Sequence, residues 1–286
     1  ELAPSISAQL AALGPEAARA TAQAGERLVN LGMSADGRRD SLDDDLKDRL
    51  DLARNTNERD RAYAFAAMRA ADEGDARARD FVDKIEDLDT RNGVRTVVDY
   101  NYLRSLISKK RVDEALQLIP KVSLTHTLRA HLMTQLAALM ANTDRDRARE
   151  LLNEALTEAR RIDAGTAERA YCLLALVTEF SKFDQTRGWE LLSEAVKASN
   201  AVASFTGEDA RTTVTVEGKF SVRLSTELAA PTTLAELFVN LAENDFYQAV
   251  DAGKTFSGDA PRALVTISIA RAQFDENRSA KSVGQK

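Results

Sequence analysis

Apolar residues recur at helical spacing along most of the chain, and the clearest stretch lies in the middle. From Ala130 the sequence reads AHLMTQLAALMANTD, and from Ala170 it reads AYCLLALVTEFSKFD. Each run starts at an alanine, passes through an apolar segment and ends at an aspartate, Asp144 or Asp184. The segments beyond the aspartates also match: RDRARELLNEAL after the first and QTRGWELLSEAV after the second, so the two units stand 40 residues apart. In the second segment of the first unit, Ala148, Leu151, Leu152, Ala155 and Ala159 form one stripe at i, i+3, i+4, i+7 and i+11. Gly188, Leu191, Leu192, Ala195 and Ser199 are the counterparts. Each aspartate stands just before its stripe, where a carboxylate caps free backbone N–H groups at a helix start. The pattern predicts helical hairpins, with Ala148 and Gly188 small enough for the paired helix to come close.

The same reading extends outward. Arg61-Ala62-Tyr63 parallels Arg169-Ala170-Tyr171 and opens an earlier hairpin, with Asp75 before its second helix. Val97 to Ser108 and Val112 to Val122 make another, joined at Lys109-Lys110-Arg111 and disturbed near its end by Pro120. Ser5 to Leu13 and Pro15 to Leu31 read as two helices, with a polar connection leading to a helix from Leu42 to Leu52. Toward the C-terminus, Pro231 to Glu243 and Asp245 to Lys254 pair as a further hairpin. A last helix starts at Asp259 and runs to about Phe274. One stretch breaks the period. In Thr212 to Leu224 (TTVTVEGKFSVRL), Val214 and Val216, then Phe220 and Val222, alternate with polar residues around Glu217-Gly218-Lys219. That alternation predicts a β-hairpin.

The small–large–small series Ala148, Leu152, Ala155 and Gly188, Leu192, Ala195 resembles the second helix of a tetratricopeptide hairpin. Ala115, Ile119, Val122 and Ala78, Val82, Ile85 are looser versions. The resemblance covers about residues 60–200, with a spacing of 40 in place of that family's 34. It implies an all-α, right-handed α-solenoid of antiparallel helix pairs, here with a short β-hairpin insertion near 212–224. The expected organisation is N-terminal helices and an acidic connection (1–55), hairpin repeats (56–203), the insertion (204–230), C-terminal repeat helices (231–275) and a disordered tail (276–286).

Composition narrows the function classes. Glycine (13) and proline (5) are scarce, as long helices with short connections require. The net charge is −6, with −6 in the first hundred residues, +2 in the second and −2 in the rest. No part is basic enough to bind nucleic acid by bulk charge. No run is long and apolar enough for a membrane span. A chain opening at Glu1 fits a removed export signal as well as a fragment, so cytoplasmic and exported locations both stay open.

No reaction chemistry emerges. His126 and His131 diverge by about 140° on a helix, so they do not share a metal. The cluster Asp43, Asp44, Asp45, Asp48 and Asp51 fails the calcium-loop template, because Ser41 and Lys47 fall where glycine and glutamate are needed. Cys172, the single cysteine, sits in an apolar run as a small buried hydrophobe. No catalytic, metal or cofactor residues are assigned. Two aromatic groups are candidates for a partner site: Tyr100 and Tyr102 beside the basic turn, and Phe183 with Trp189 at the next hairpin. The expected function is a non-catalytic scaffold binding a protein or peptide. The alternatives are a self-associating structural subunit and a hydrolase or lyase built on a helical array.

Overall fold

The computed structural model describes the backbone of residues 41–208, 211–216, 222–227 and 233–283, and the side chains of 41–208 and 233–274. The two N-terminal helices expected before Gly32 lie outside the described residues, as do all side chains of the expected tail, whose described backbone continues the last helix to Val283 instead of ending it near Phe274.

Local capping explains where the helices begin. Helix α1 (Leu42–Leu52) starts behind Ser41, whose hydroxyl accepts from Asp44 N–H. Its first-turn carboxylates, Asp43, Asp44 and Asp45, favour the positive helix end. Asp43 pairs with Arg77 at 2.9 Å and Asp45 with Arg49 at 2.8 Å. The acidic cluster is therefore a helix start held by arginines. Asn55 caps α2 (Thr56–Glu73), α3 (Ala78–Asp83) comes next, and Asp87 caps α4 (Leu88–Ser108). Buried Asp60 on α2 braces the entry to α4 by accepting from Glu86 N–H at 2.8 Å and Asp87 N–H at 3.0 Å.

Helix α5 (Val112–Leu118) is short and gives way to a 3-10 turn over Ile119–Lys121, as Pro120 requires. Beyond it stand two regular hairpins: α6 (His126–Met140) with α7 (Arg145–Arg160), and α8 (Ala167–Ser181) with α9 (Gln185–Asn200). Their turns are built alike. Asp144 accepts from Arg147 N–H at 3.0 Å, and Asp184 from Arg187 N–H at 3.1 Å. Each aspartate's own N–H reaches back 2.8 Å to the preceding helix, to Met140 O or Phe180 O. The stripe Ala148, Leu151, Leu152, Ala155 and Ala159 is buried, and so are Gly188, Leu191, Leu192, Ala195 and Ser199. A side chain at Gly188 would collide with Ser181, its Cβ lying 3.2 Å from the Ser181 Cα.

The C-terminal part comprises α10 (Leu234–Asn244), α11 (Phe246–Lys254) and α12 (Asp259–Val283). A capping box between Thr233 and Glu236 opens α10, and Asp245 caps α11. Helix α12 packs on both.

The architecture is a helical-repeat-like fold in which adjacent helix pairs pack on one another. The first helices of successive hairpins touch in series, α4 with α6, α6 with α8, and α8 with α10. Helix α8 is buried on nearly every side, from Cys172 through Phe180. By contrast α7 and α9 bury one stripe and expose the other face, where Arg160 of α7 pairs with Glu194 of α9 at 2.7 Å. One continuous core runs from Leu42 to Ala272.

The expected fold class is corrected on one point: the β-hairpin insertion near 212–224 is no part of this packed structure. Every described core side chain comes from a helix or from a turn joining helices. The backbone segments β1 (Arg211–Val216) and β2 (Val222–Glu227) run antiparallel, with Val216 opposite Val222. That register leaves the expected turn Glu217-Gly218-Lys219, and Phe220, outside the described residues. The alternation of β-branched residues is a local signal. A lone two-stranded ribbon is marginal in water. The packed fold is all-helical.

Candidate functional site: a groove between α4 and α6

The region where α4 meets α6 differs from the closely packed hairpins α6/α7 and α8/α9. A groove of about 500 Å³ opens there, lined by Arg104, Ile107, Ser108 and Lys110 on one side and Gln135, Ala138 and Leu139 on the other. Helical spacing places these residues on facing stripes. Arg104, Ile107 and Ser108 stand at i, i+3 and i+4 on α4, and Gln135, Ala138 and Leu139 do the same on α6. Ile107 supplies a largely buried apolar wall, and Leu139 stands more than a third exposed.

The rim is cationic. The Arg104 guanidinium lies 3.9 Å from Asp72, with both side chains about half exposed, a contact that contributes little in water. Lys110 makes no ion pair among the described residues. Its neighbours are occupied: Lys109 Nζ donates to Glu73 O, and Arg111 is held by Glu114 and by the Tyr102 hydroxyl.

Backbone geometry sets Lys110 apart. Its φ is +58°, the left-handed region that glycine favours. Lys110 N–H donates to Ile107 O at 2.9 Å and Arg111 N–H to Leu106 O at 2.8 Å, which closes α4 in a Schellman motif. Helix α2 ends in the same motif, with Gly74 at φ +67° and Asp75 N–H donating to Ala70 O at 2.8 Å. One helix thus uses glycine at this position and the other a lysine at the edge of a groove.

Polar groups lie beneath the rim. His131 is buried one turn before Gln135, and the Gln135 Nε2 stands 3.0 Å from its Nε2, as an amide N–H donating to an unprotonated ring nitrogen does. Burial first, and the positive charge of Arg104 second, lower its pKa to about 4. Asn101, one turn before Arg104 on α4, has a buried side-chain oxygen with no hydrogen-bond partner among the described residues.

The aromatic candidates are dispersed. Tyr100 is fully buried in the core, and Tyr102 braces the basic turn through Arg111. Phe183 and Trp189 are partly buried against the core, and the Arg145 guanidinium stacks 5.0 Å from the Phe183 ring centre. None of the four lines the groove. The basic turn at Lys109-Lys110-Arg111 is the visible sequence signal for this site. The facing stripe on α6 carries none, because nothing in its spacing says which helix it meets.

No family model, curated protein or solved structure matches the chain.

Other chemistry-bearing groups are separate. Asp99 is buried beside Arg79, Nε to Oδ1 3.0 Å, and burial raises its pKa against the pull of Arg79 and Arg95. Glu179 is buried under Lys182, which donates to both its oxygens at 2.8 Å. Asp60, Asp99 and Glu179 thus sit on three different helices with their own partners. His126 faces Glu158 at 2.7 Å on the surface, away from His131 in the interior. Cys172 is buried and its thiol pKa is pushed up to about 12, chiefly by desolvation. Among the described residues no cluster of three metal-ligating side chains occurs, and no helix is long and apolar enough to cross a membrane.

Proposed function

We propose that this chain is a non-catalytic binding scaffold whose stacked hairpins, tetratricopeptide-like in geometry, hold a protein or peptide partner. The observation that carries this reading is the groove between α4 and α6. It joins apolar walls to loosely held cations on an array of packed helix pairs. Extended helical arrays present such surfaces without needing to move. Two of the buried carboxylates, Asp60 and Glu179, support the reading from the other side, since each is held by local structural hydrogen bonds.

The test is affinity recovery of the full chain from native extract at modest salt, with crosslinks mapped by mass spectrometry. A recurrent protein partner whose crosslinks fall on the helical array is the expected result. Repeated recovery of nothing, or recovery of a small-molecule substrate that the chain turns over, would sink it.

A further inference from the structure

The geometry points to a specific occupant of the α4–α6 groove: a short acidic segment of a partner protein, carrying an apolar side chain between its carboxylates. This rests on the scaffold reading and goes beyond it by naming the ligand chemistry and the residues that read it.

Charge complementarity comes first. The chain as a whole is negative, yet the groove's rim carries Arg104 and Lys110. An acidic segment is disfavoured by the net charge of the chain and attracted by these two cations, which gives specificity as well as encounter rate. Arg104 is held only at 3.9 Å by Asp72, so a ligand carboxylate can take over one face of its guanidinium in a two-pronged contact. The second element is the apolar wall of Ile107, Ala138 and Leu139, which has no anion to offer and takes a side chain such as leucine. Gln135 and Ser108 supply hydrogen-bonding groups for an extended backbone.

Lys110 is the third element. The left-handed position at the end of α4 suits glycine, and the equivalent position at the end of α2 is Gly74. A lysine there is held in a strained backbone conformation at the edge of the groove, a pattern that collects at binding sites. Size agrees: about 500 Å³ accommodates a few side chains, not a folded domain. Among the described residues no aromatic side chain lines the groove, which gives no stacking platform of the kind single-stranded nucleic acid uses.

The experiment uses the full chain and fluorescence anisotropy. The probe is a fluorescein-labelled peptide with a central leucine pair flanked by aspartate and glutamate. Controls replace the leucines by serine, or the acids by lysine, and a short single-stranded RNA of similar charge is run in parallel. The expected result is binding of the acidic leucine peptide, weakened by salt. It falls about tenfold or more in the double variant Arg104→Glu with Lys110→Glu, and by a similar factor in Leu139→Ser. Both variants alter exposed positions, and circular dichroism checks that the helices remain. Lys110→Gly separates function from folding: it weakens the peptide while raising the melting temperature. Equal binding of the lysine peptide, indifference to the double variant, or tighter binding of the RNA overturns the proposal. If crosslinking finds a partner seated elsewhere on the array, the groove assignment falls and the scaffold reading survives.

Discussion

The hairpins α6/α7 and α8/α9 and the hairpin α4/α5 share one plan with different outcomes. In the first two, the second helix has sixteen residues and buries a full stripe of leucine and alanine. In the third, the second helix has seven residues, buries only Ala115 and breaks into a 3-10 turn at Pro120. The α8/α9 hairpin closes tightly enough that a Cβ at Gly188 would overlap the Ser181 hydroxyl. Beside the short one, α4 and α6 leave a groove. Regularity makes stability, and the candidate site lies where the regular element is cut short.

The sharpest break of this comparison is cavity formation. Leu152→Ala, in the fully buried stripe, is expected to cost about 3 kcal/mol, because a tight seam cannot collapse around the void. Ile119→Ala, on the 3-10 turn, should cost roughly 1 kcal/mol less, since its surroundings relax more easily. Urea denaturation of both variants measures the difference, and equal losses would erase the distinction between the two regions.

The seam itself has a pH signature. His131 has a folded pKa of about 4, below its unfolded value of about 6.5. Above pH 6.5 it is neutral in both states and its contribution is complete. As pH falls toward 4 the unfolded chain takes the proton first, so stability is lost. The loss amounts to about 3 kcal/mol from this group. Asp99, whose pKa is raised, pushes the other way, so the informative quantity is the difference between wild type and His131→Asn. That difference should shrink as pH drops through this window; a constant difference would place His131 in contact with water.

Next is overpacking. Gly188→Val is expected to destabilise by about 2 kcal/mol, because its Cβ would overlap the Ser181 hydroxyl and crowd the Ser181 Cα at 3.2 Å. Thermal unfolding checks it, and a neutral result would mean that α8 and α9 can separate. The smallest effect has the opposite sign. Lys110→Gly should stabilise by about 1 kcal/mol by relieving the left-handed strain. A loss of stability would show that the lysine side chain itself holds the turn.

Much of this fold is legible in particular residues. Asp144 and Asp184 mark their helix starts, Pro120 marks the break in α5, and Gly188 marks a close approach. The aromatic candidates are less legible, since helical phase alone does not fix whether Tyr100 and Tyr102 face the core or a partner. The stretch at 212–224 misleads for a related reason: alternation reports a local preference, and nothing in it says whether a third layer exists to cover the ribbon.

Caps, breakers and apolar periodicity act within a few residues, through backbone hydrogen bonds and side-chain volume. The sequence by itself therefore determined that this chain forms helices, where most begin and end, and that two hairpins repeat. Which helices lie side by side depends on contacts between residues far apart in the chain. Only the tertiary structure could set Arg104 and Lys110 opposite Gln135 and Leu139 and leave a gap between them.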